Sequence, residues 1–241
     1  MRYRLLLLSV ATLAWSPAAP LPAQAQAAAA AMAPDTSWVG RSTIYQVFVR
    51  DFSQTGDLRG VIAGLDRIEA AGASVVWLTP IHPVGVTGRK GTLGSPYSVR
   101  DYYAIDVAFG TGADFRALVQ AVHQRGMRLI LGWVPNHTAP DAAWTREHPD
   151  FYVRDGSGRL TVPRDEKGNL TDWTDVAQLD YANPAMRQAM IAAMRHWLVE
   201  YDIDGFRMDV AGFVPDGFWR EATAALRGAV SKPILLLAEW G

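Results

Sequence analysis

The 241-residue chain has 23 Lys and Arg against 24 Asp and Glu, a formal net charge of −1, and no cysteine. Acidic and basic residues are interspersed and form no basic stripe, which argues against nucleic acid and anionic surfaces as partners. The lack of cysteine excludes disulfides, thiol redox chemistry and zinc sites built on cysteine.

The N-terminal segment has the pattern of a Sec-type signal peptide. Arg2 and Arg4 precede an apolar run over 5–15 and small residues that end near Ala25, which is the order found in such peptides. The apolar run is shorter than the ~20 residues that a membrane-spanning helix needs, so we expect no membrane span in the mature chain. The Ala-rich stretch 26–37 has no periodic apolar face and is predicted to be a disordered leader. A secreted or periplasmic location is therefore expected.

Short apolar runs alternate with helical patterns from Trp38 onwards. The predicted strands cover 43–49, 74–79, 128–134, 204–209 and 233–239, and the predicted helices have apolar stripes over 61–68, 115–122, 186–197 and 216–230. Asn183 and Pro184 indicate the start of the third helix, as N-cap and first-turn proline, and Gly126 indicates the end of the second. Strict alternation predicts a parallel sheet, either open and doubly wound or closed as a (β/α)8 barrel. Five strands alone do not decide between the two.

Two glycine patterns argue against nucleotide binding. The turn after the first predicted strand, 49–53, has no glycine, whereas a dinucleotide-binding sheet needs its glycine fingerprint there. The glycine-rich stretch 85–94 lacks the Gly-Lys-Ser/Thr order of a phosphate loop, so it is interpreted as a mobile loop.

The connection from about 138 to 182 is too long for an ordinary loop and is predicted to form a small lobe over the strand ends.

Polar residues follow three of the predicted strands. Pro-Asn-His-Thr at 135–138 ends the third strand, Gly-Phe-Arg-Met-Asp at 205–209 ends the fourth, and Leu-Ala-Glu-Trp at 237–240 ends the fifth. In parallel α/β folds the active site lies at the C-terminal ends of the strands. The three segments are therefore expected to meet on one face.

Asp209 is a candidate carboxylate nucleophile. Side chains alternate along a strand, so Arg207 and Asp209 point the same way. A neighbouring guanidinium favours the ionised carboxylate, and we expect it to lower the pKa of Asp209. An isolated Arg-x-Asp would be interpreted as a structural ion pair, but the strand-end position and a second carboxylate favour catalysis.

That second carboxylate is Glu239. Adjacent strands lie ~4.8 Å apart, so Asp209 and Glu239 are expected near the ~5 Å separation of the two carboxyl groups in retaining glycosidases. In that scheme Asp209 attacks the anomeric carbon, while Glu239 protonates the leaving oxygen and then activates water. From spacing alone, a solvated glutamate near the chain end is an equal alternative.

His137 and Tyr97 are candidate substrate contacts. A neutral His137 can donate to a sugar hydroxyl, and Tyr97 can stack on an apolar sugar face. Taken singly, a lone histidine is more often structural and most aromatic side chains fill core space.

Together these motifs resemble the α-amylase family of glycoside hydrolases, family 13. The resemblance rests on the segments 134–138, 205–209 and 237–240 in the family's order, on Gln-Leu-Asp-Tyr-Ala-Asn-Pro at 178–184, and on 95–103, which includes Tyr97. It covers roughly residue 38 to the end of the chain. Several ordered matches are hard to obtain by chance.

The resemblance implies a (β/α)8 barrel with a small domain inserted after the third strand. The expected boundaries are 38–137 for the first part of the barrel, 138–183 for the insert and 184–241 for the continuing barrel. By position, Asp209 is expected to be the nucleophile, Glu239 the acid/base, and Arg207, His137 and Tyr97 substrate contacts. Calcium binds many members of the family through an asparagine like Asn136.

The sequence departs from the family pattern in three places. Gly132 stands where an aspartate is usual at the end of the third strand, and its lack of a side chain is expected to loosen the site. The basic pair that often follows the nucleophile is replaced within 210–214. The chain also stops at Gly241, after five predicted strands and before the region with the third catalytic carboxylate, so we expect a truncated barrel that is inactive alone.

The expected activity is retaining hydrolysis of α-glucosidic bonds in α-glucans such as starch and maltodextrins. Two alternatives remain open from sequence. One is an isomerase or glucanotransferase of the same family that acts on sucrose, trehalose or maltose. The other is a glucan-binding protein without catalysis, against which the presence of Asp209, Glu239 and Arg207 argues.

Overall fold

A computed structural model describes residues 37–165 and 167–240. The predicted signal peptide and all but Ser37 of the predicted leader lie outside the described residues. The strands are β1 (Ile44–Val47), β2 (Val75–Leu78), β3 (Arg128–Trp133), β4 (His137–Thr138), β5 (Ala177–Gln178), β6 (Gly205–Met208) and β7 (Leu235–Ala238). The α-helices are α1 (Val49–Phe52), α2 (Leu58–Ala63), α3 (Leu65–Ala70), α4 (Gly112–Gln124), α5 (Ala143–Glu147), α6 (Pro184–Glu200) and α7 (Asp216–Ala229). In the described part, no helix is both long and apolar enough to cross a bilayer.

Five strands form one parallel sheet in the order β1-β2-β3-β6-β7. The strands follow the chain without reversing direction, whereas a doubly wound sheet changes direction at a switch point. The sequential order therefore decides for the barrel over the open sheet.

The two faces of the sheet are both apolar. On the outer face, side chains such as Val76, Leu129 and Phe206 belong to the large core shared with the helices. On the inner face, Val75, Ile130 and Leu235 form a separate cluster. Neighbouring positions on one strand thus face opposite sides, as the strand period requires.

Helix ends follow local capping chemistry. The side chain of Asn183 accepts hydrogen bonds from the first backbone N–H groups of α6, and Pro184 follows it, which confirms the predicted start. Gly126, with φ of +69°, follows the end of α4 as predicted. The single helix expected over 61–68 is wrong, because α2 and α3 are separated at Gly64. A Cβ at Gly64 would lie 2.4 Å from the ring of Phe52, so this ring packs directly on the backbone where the helix breaks.

The two ends of the segment 139–176 are held together by the antiparallel pair of β4 and β5. His137 of β4 faces Gln178 of β5, and Thr138 faces Ala177. The Tyr102 hydroxyl donates to the carbonyl of Val134 at 2.6 Å or that of His137 at 3.0 Å. The same turn that ends β3 is thus fixed from two sides, which positions His137.

At the opposite end of the sheet, Asp204 fixes the start of β6. Its carboxylate accepts a hydrogen bond from the Leu129 backbone at 2.8 Å and contacts His123 Nε2 at 2.7 Å and Lys232 Nζ at 3.0 Å. These contacts join β3, α4 and the segment before β7 to β6, the strand that Asp209 directly follows. Removing one partner of a buried ion pair of this kind is strongly destabilising, because it leaves an uncompensated buried charge.

Candidate active site

The register of β6 and β7 brings the two carboxylates together. Met208 pairs with Ala238, so Asp209 and Glu239 follow at matching positions on adjacent strands. The Glu239 N–H donates to the Met208 carbonyl at 3.0 Å, and the Ala211 N–H donates to the Glu239 carbonyl at 3.0 Å. The backbone on both sides of Glu239 is therefore held by the chain that carries Asp209.

Arg207 binds both carboxylates. Its Nη1 lies 2.9 Å from Asp209 Oδ1, its Nη2 forms an ion pair with Glu239, and its guanidinium lies 4.9 Å from the centre of the Trp77 ring. Arg207 is only 7% exposed. The two ion pairs and the aromatic face fix its planar group in one orientation.

Gly132 faces Arg207 in the register of β3 and β6. A Cβ at this position would lie 2.9 Å from Pro80 Cδ and 3.0 Å from the Leu78 carbonyl oxygen, so the backbone leaves no room for a side chain. Arg207 is held by Asp209, Glu239 and the Trp77 ring, so its orientation does not depend on a side chain at position 132, and the loosening expected from Gly132 stays a prediction.

Val210 follows the candidate nucleophile in the left-handed region, with φ of 39° and ψ of 47°. This conformation is rare for a β-branched residue, and such strain costs about 1–3 kcal/mol. The Val210 N–H donates to Glu239 Oε2 at 2.9 Å. The strained residue thus supplies a backbone donor to the second carboxylate, a role that no sequence pattern indicated.

The pKa of Asp209 is raised to about 6, chiefly because the carboxyl group is buried. The hydrogen bond from Arg207 acts in the opposite direction, and the nearby Glu239 carboxylate raises the pKa further. The expectation of a lowered pKa is therefore wrong in its net sign. Arg207 has the expected influence, but burial outweighs it.

His137 lies buried beside Asn136 and Tyr97. Burial lowers the pKa of His137 to about 4, so the ring is neutral at neutral pH. The amide Nδ2 of Asn136 lies 3.2 Å from His137 Nδ1, and the ring also donates a hydrogen bond to the Tyr97 backbone carbonyl. Burial raises the pKa of Tyr97, as does the charge of Asp209, so its hydroxyl stays protonated near the nucleophile.

These side chains line a cavity of about 440 Å³. Four predicted site residues, Tyr97, His137, Asp209 and Glu239, are in its wall, and Arg207 lies behind the carboxylates. The wall also contains residues that the sequence did not single out: Lys90, Ser95, Trp173, Asp175, Val176 and Val210. Lys90 of the glycine-rich loop lies 3.7 Å from the Asp175 carboxylate and donates to the Asp172 carbonyl at 3.0 Å. This loop, expected to be mobile, is thereby attached to the segment between β4 and β5.

A larger cavity of about 540 Å³ lies beside the first. Its wall includes Gly212 and Phe213, which lie in the segment 210–214 where the family's basic pair is replaced, and Trp240, which follows Glu239. Phe213 stacks on Trp173 with ring centres 6.0 Å apart and planes 12° from parallel. Since one ring faces each cavity, this stacked pair separates the two. The wall of the larger cavity includes neither Asp209 nor Glu239, so the smaller cavity is the candidate active site.

Asn136 does not offer the calcium site that the resemblance implied. Its Oδ1 accepts a hydrogen bond from Gln178 Nε2 at 3.1 Å. Within residues 37–165 and 167–240, no group of three His, Cys, Asp or Glu side chains could hold a metal ion. Calcium needs six to eight oxygen ligands, usually with carboxylates, so the residues present around Asn136 do not fit it.

A family model for the α-amylase catalytic domain matches residues 46–225. The chain belongs to the α-amylase family of glycoside hydrolases. Two curated relatives illustrate its breadth. A trehalose synthase/amylase from Mycobacterium tuberculosis is 36% identical over 81% of this chain and 36% of that protein. An oligo-1,6-glucosidase from Halalkalibacterium halodurans is 31% identical over 74% of this chain and 36% of that protein.

Solved structures of the α-amylase family have the same fold. An α-amylase from Lactobacillus plantarum is 42% identical, with a TM-score of 0.76 over 82% of this chain and 45% of that one. An α-amylase from Geobacillus thermoleovorans, complexed with acarbose, is 29% identical, with a TM-score of 0.68 over 83% of this chain and 47% of that one. The chain is thus a family 13 α/β barrel segment that spans less than half the length of these relatives.

Proposed function

We propose that the full-length protein hydrolyses α-glucosidic bonds in α-glucans such as starch and maltodextrins, with retention of configuration. The observation that carries the proposal is the meeting of Asp209 and Glu239 on adjacent strand ends, bridged by Arg207 in one cavity. The signal-peptide pattern over 1–25 supports export to the periplasm or the medium. The catalytic pair argues against a protein that only binds glucans.

In the proposed reaction, Asp209 attacks the anomeric carbon and Glu239 gives its proton to the leaving oxygen. The covalent β-glucosyl intermediate is then attacked by a water molecule that Glu239 deprotonates, which returns the α configuration. Arg207 orients both carboxylates through its fixed guanidinium. Neutral His137 and protonated Tyr97 face the glucose ring from the same cavity.

The stereochemical outcome tests this mechanism directly. During hydrolysis of maltoheptaose by the full-length protein, proton NMR is expected to show the α-anomer of the new reducing end first, and the β-anomer only later through mutarotation. The physical reason is that two successive inversions at one carbon restore its configuration. An initial excess of the β-anomer would rule out Asp209 as a nucleophile.

A second candidate function is transfer of the glucosyl group to another sugar. The relative from Mycobacterium tuberculosis is called a trehalose synthase/amylase. The wall of the larger cavity supports the same idea, because Trp240 is 72% exposed beside Glu239 and Phe213 is stacked on Trp173. An aromatic wall favours an acceptor with an apolar sugar face over water.

Replacing Trp240 by alanine is expected to lower the ratio of transfer to hydrolysis by about tenfold, because loss of an aromatic platform costs roughly 1–1.5 kcal/mol of sugar binding. The ratio is measured from transfer and hydrolysis products at high maltose concentration. Tyr103→Ala provides the control, since Tyr103 is also exposed but lies outside both cavities. An equal ratio in Trp240→Ala and the unmodified protein would remove Trp240 from acceptor binding.

A further inference from the structure

The side-chain amide of Gln178 lies where three oxygen atoms converge. Its Nε2 is 3.1 Å from Asn136 Oδ1, 3.1 Å from the Asn136 carbonyl oxygen and 3.0 Å from the Leu179 carbonyl oxygen. An amide nitrogen has only two hydrogens, so three acceptors saturate it. Converging oxygens are the usual surroundings of a bound cation, but here they surround a neutral donor of the chain itself.

The position of Gln178 explains this arrangement. Gln178 pairs with His137 in the β4–β5 register, and the Leu179 N–H donates to the Asn136 carbonyl at 3.2 Å. The backbone therefore brings the Gln178 side chain to the turn after β3. The distances of 3.0–3.1 Å are those of hydrogen bonds, whereas calcium–oxygen distances are about 2.3–2.6 Å.

Charge near this point does not favour a cation. Arg164 and Asp165 line the same cavity as Asn136 and Gln178. The Asp165 carboxylate already accepts hydrogen bonds from the backbone of Lys167 and from Asn169. Among the residues that line this cavity, Asp165 has the only carboxylate, and its oxygens are already engaged by these hydrogen bonds.

We propose that the Gln178 amide takes the place of a calcium ion at the junction of β3 and the segment between β4 and β5. The amide fixes Asn136 with Oδ1 towards Gln178, which leaves Asn136 Nδ2 to donate to His137 Nδ1. The ring proton of His137 then lies on Nε2. Gln178 is thus a positioning residue for His137 and makes this junction independent of metal. The metal independence of this junction does not depend on the proposed function. The importance of the His137 tautomer for substrate binding rests on the proposed function.

Calorimetry of the full-length protein tests the absence of a metal here. The melting temperature is expected to be the same within about 1 °C in EDTA and in millimolar calcium chloride, because a ligand that does not bind gives no stabilisation. Titration of calcium into EDTA-treated protein is expected to release no binding heat. A fall of several degrees in EDTA that calcium restores, or binding of one calcium ion per chain, would overturn the proposal.

The variant Gln178→Asp sharpens this test. The side chain is shorter by one methylene, which opens space at the amide position and directs a carboxylate at the three oxygens. In EDTA the variant is expected to melt about 4–8 °C lower, and calcium is expected to restore most of this loss. Gln124→Asp is the control, since Gln124 is exposed at the end of α4 and should respond to neither reagent. A Gln178→Asp protein that melts at the same temperature with and without calcium, although it folds, would contradict the proposed geometry.

The effect on His137 is measured by nitrogen NMR of the imidazole ring, a readout that needs no turnover. In the unmodified protein, Nε2 is expected to show the chemical shift of a protonated nitrogen and Nδ1 that of an acceptor. In Gln178→Leu, Asn136 loses the donor that fixes its orientation, and the two ring nitrogens are expected to move towards a mixture of tautomers. A proton on Nδ1 in the unmodified protein, or an unchanged spectrum in the variant, would overturn the positioning role.

Discussion

In the full-length protein, replacing Asp209 by asparagine is expected to lower kcat/KM on maltoheptaose by at least about 10³-fold and to raise the melting temperature at pH 7. The loss of activity follows because an amide cannot form the covalent glucosyl intermediate. The gain in stability follows from the pKa of about 6, which means that the folded chain carries this charge at a cost. Initial rates and calorimetry on the same samples check both halves.

The pH dependence of the stability difference follows from the direction of the shift. Since the pKa of Asp209 is higher in the folded chain than its ordinary value of 3.8, folding costs free energy wherever the unfolded chain would be ionised. The cost is absent below about pH 4, grows between pH 4 and 6, and is complete above pH 6, where it amounts to up to about 3 kcal/mol. Asp209→Asn is thus expected to gain most above pH 6 and nothing near pH 4. For the same reason, kcat/KM of the unmodified protein is expected to fall below about pH 6.

Asp114→Asn provides a control of opposite sign. Asp114 lies in the first turn of α4, where hydrogen bonds from Thr111 and Arg59 lower its pKa to about 2. Its stabilising charge is present above pH 4 and is lost as the pH falls towards 2, so its replacement should lower the melting temperature at pH 7. Activity should not change, because Asp114 is remote from the cavity. If Asp209→Asn instead melts at a lower temperature than the unmodified protein at pH 7, burial does not dominate the pKa of Asp209.

The roles of the two carboxylates can be separated by azide rescue with α-glucosyl fluoride. In Asp209→Gly, azide is expected to displace fluoride in one step from the face that the nucleophile used, and the product is the β-glucosyl azide. In Glu239→Ala, Asp209 first forms the β-linked intermediate, and azide then gives the α-glucosyl azide. The two products follow from one inversion against two. An exchange of the products between the variants would exchange the assigned roles.

Much of this site could be predicted from sequence because strand periodicity is local. The alternation within 205–209 was enough to put Arg207 and Asp209 on one side, and the order of the strand ends was enough to bring Glu239 and His137 to the same face. The helix start at Asn183 depends only on its own side chain and the next residues. Such features need no knowledge of distant contacts.

Other features depend on contacts between distant segments, and these contacts cannot be read from local sequence patterns. The sign of the Asp209 pKa depends on how deeply the whole chain buries the carboxyl group, which an Arg two residues away does not reveal. The Val210 N–H contacts Glu239, and Trp173 stacks on Phe213. Both contacts connect segments that are far apart in sequence, and tertiary packing brings these segments together. Gln178 shows the same limit, since the contacts of its amide depend on the pairing of β4 with β5.

Gly205→Ala is expected to destabilise the protein by at least about 3 kcal/mol, because it combines a strained backbone with a steric clash. Gly205 begins β6 with φ of +142°, and a Cβ there would lie 1.9 Å from the Leu235 carbonyl oxygen and 2.7 Å from the Leu235 carbonyl carbon. Neither atom can move without shifting β7. Since Glu239 directly follows β7, kcat is expected to fall as well, even at temperatures where the variant stays folded. Urea unfolding and initial rates measure the two effects.

The same substitution at Gly228 isolates the cause. Gly228 lies within α7, and a Cβ there would meet no atom within 4 Å. Alanine at an open helical position should stabilise the protein by about 0.5–1 kcal/mol, since it restricts the unfolded chain and suits the helix. If the free energy of unfolding falls in Gly205→Ala and rises in Gly228→Ala, the loss at Gly205 is due to the close approach of β6 and β7. If Gly205→Ala unfolds at the same urea concentration as the unmodified protein, the two strands do not approach as closely as the site requires, and the contact between Asp209 and Glu239 fails with them.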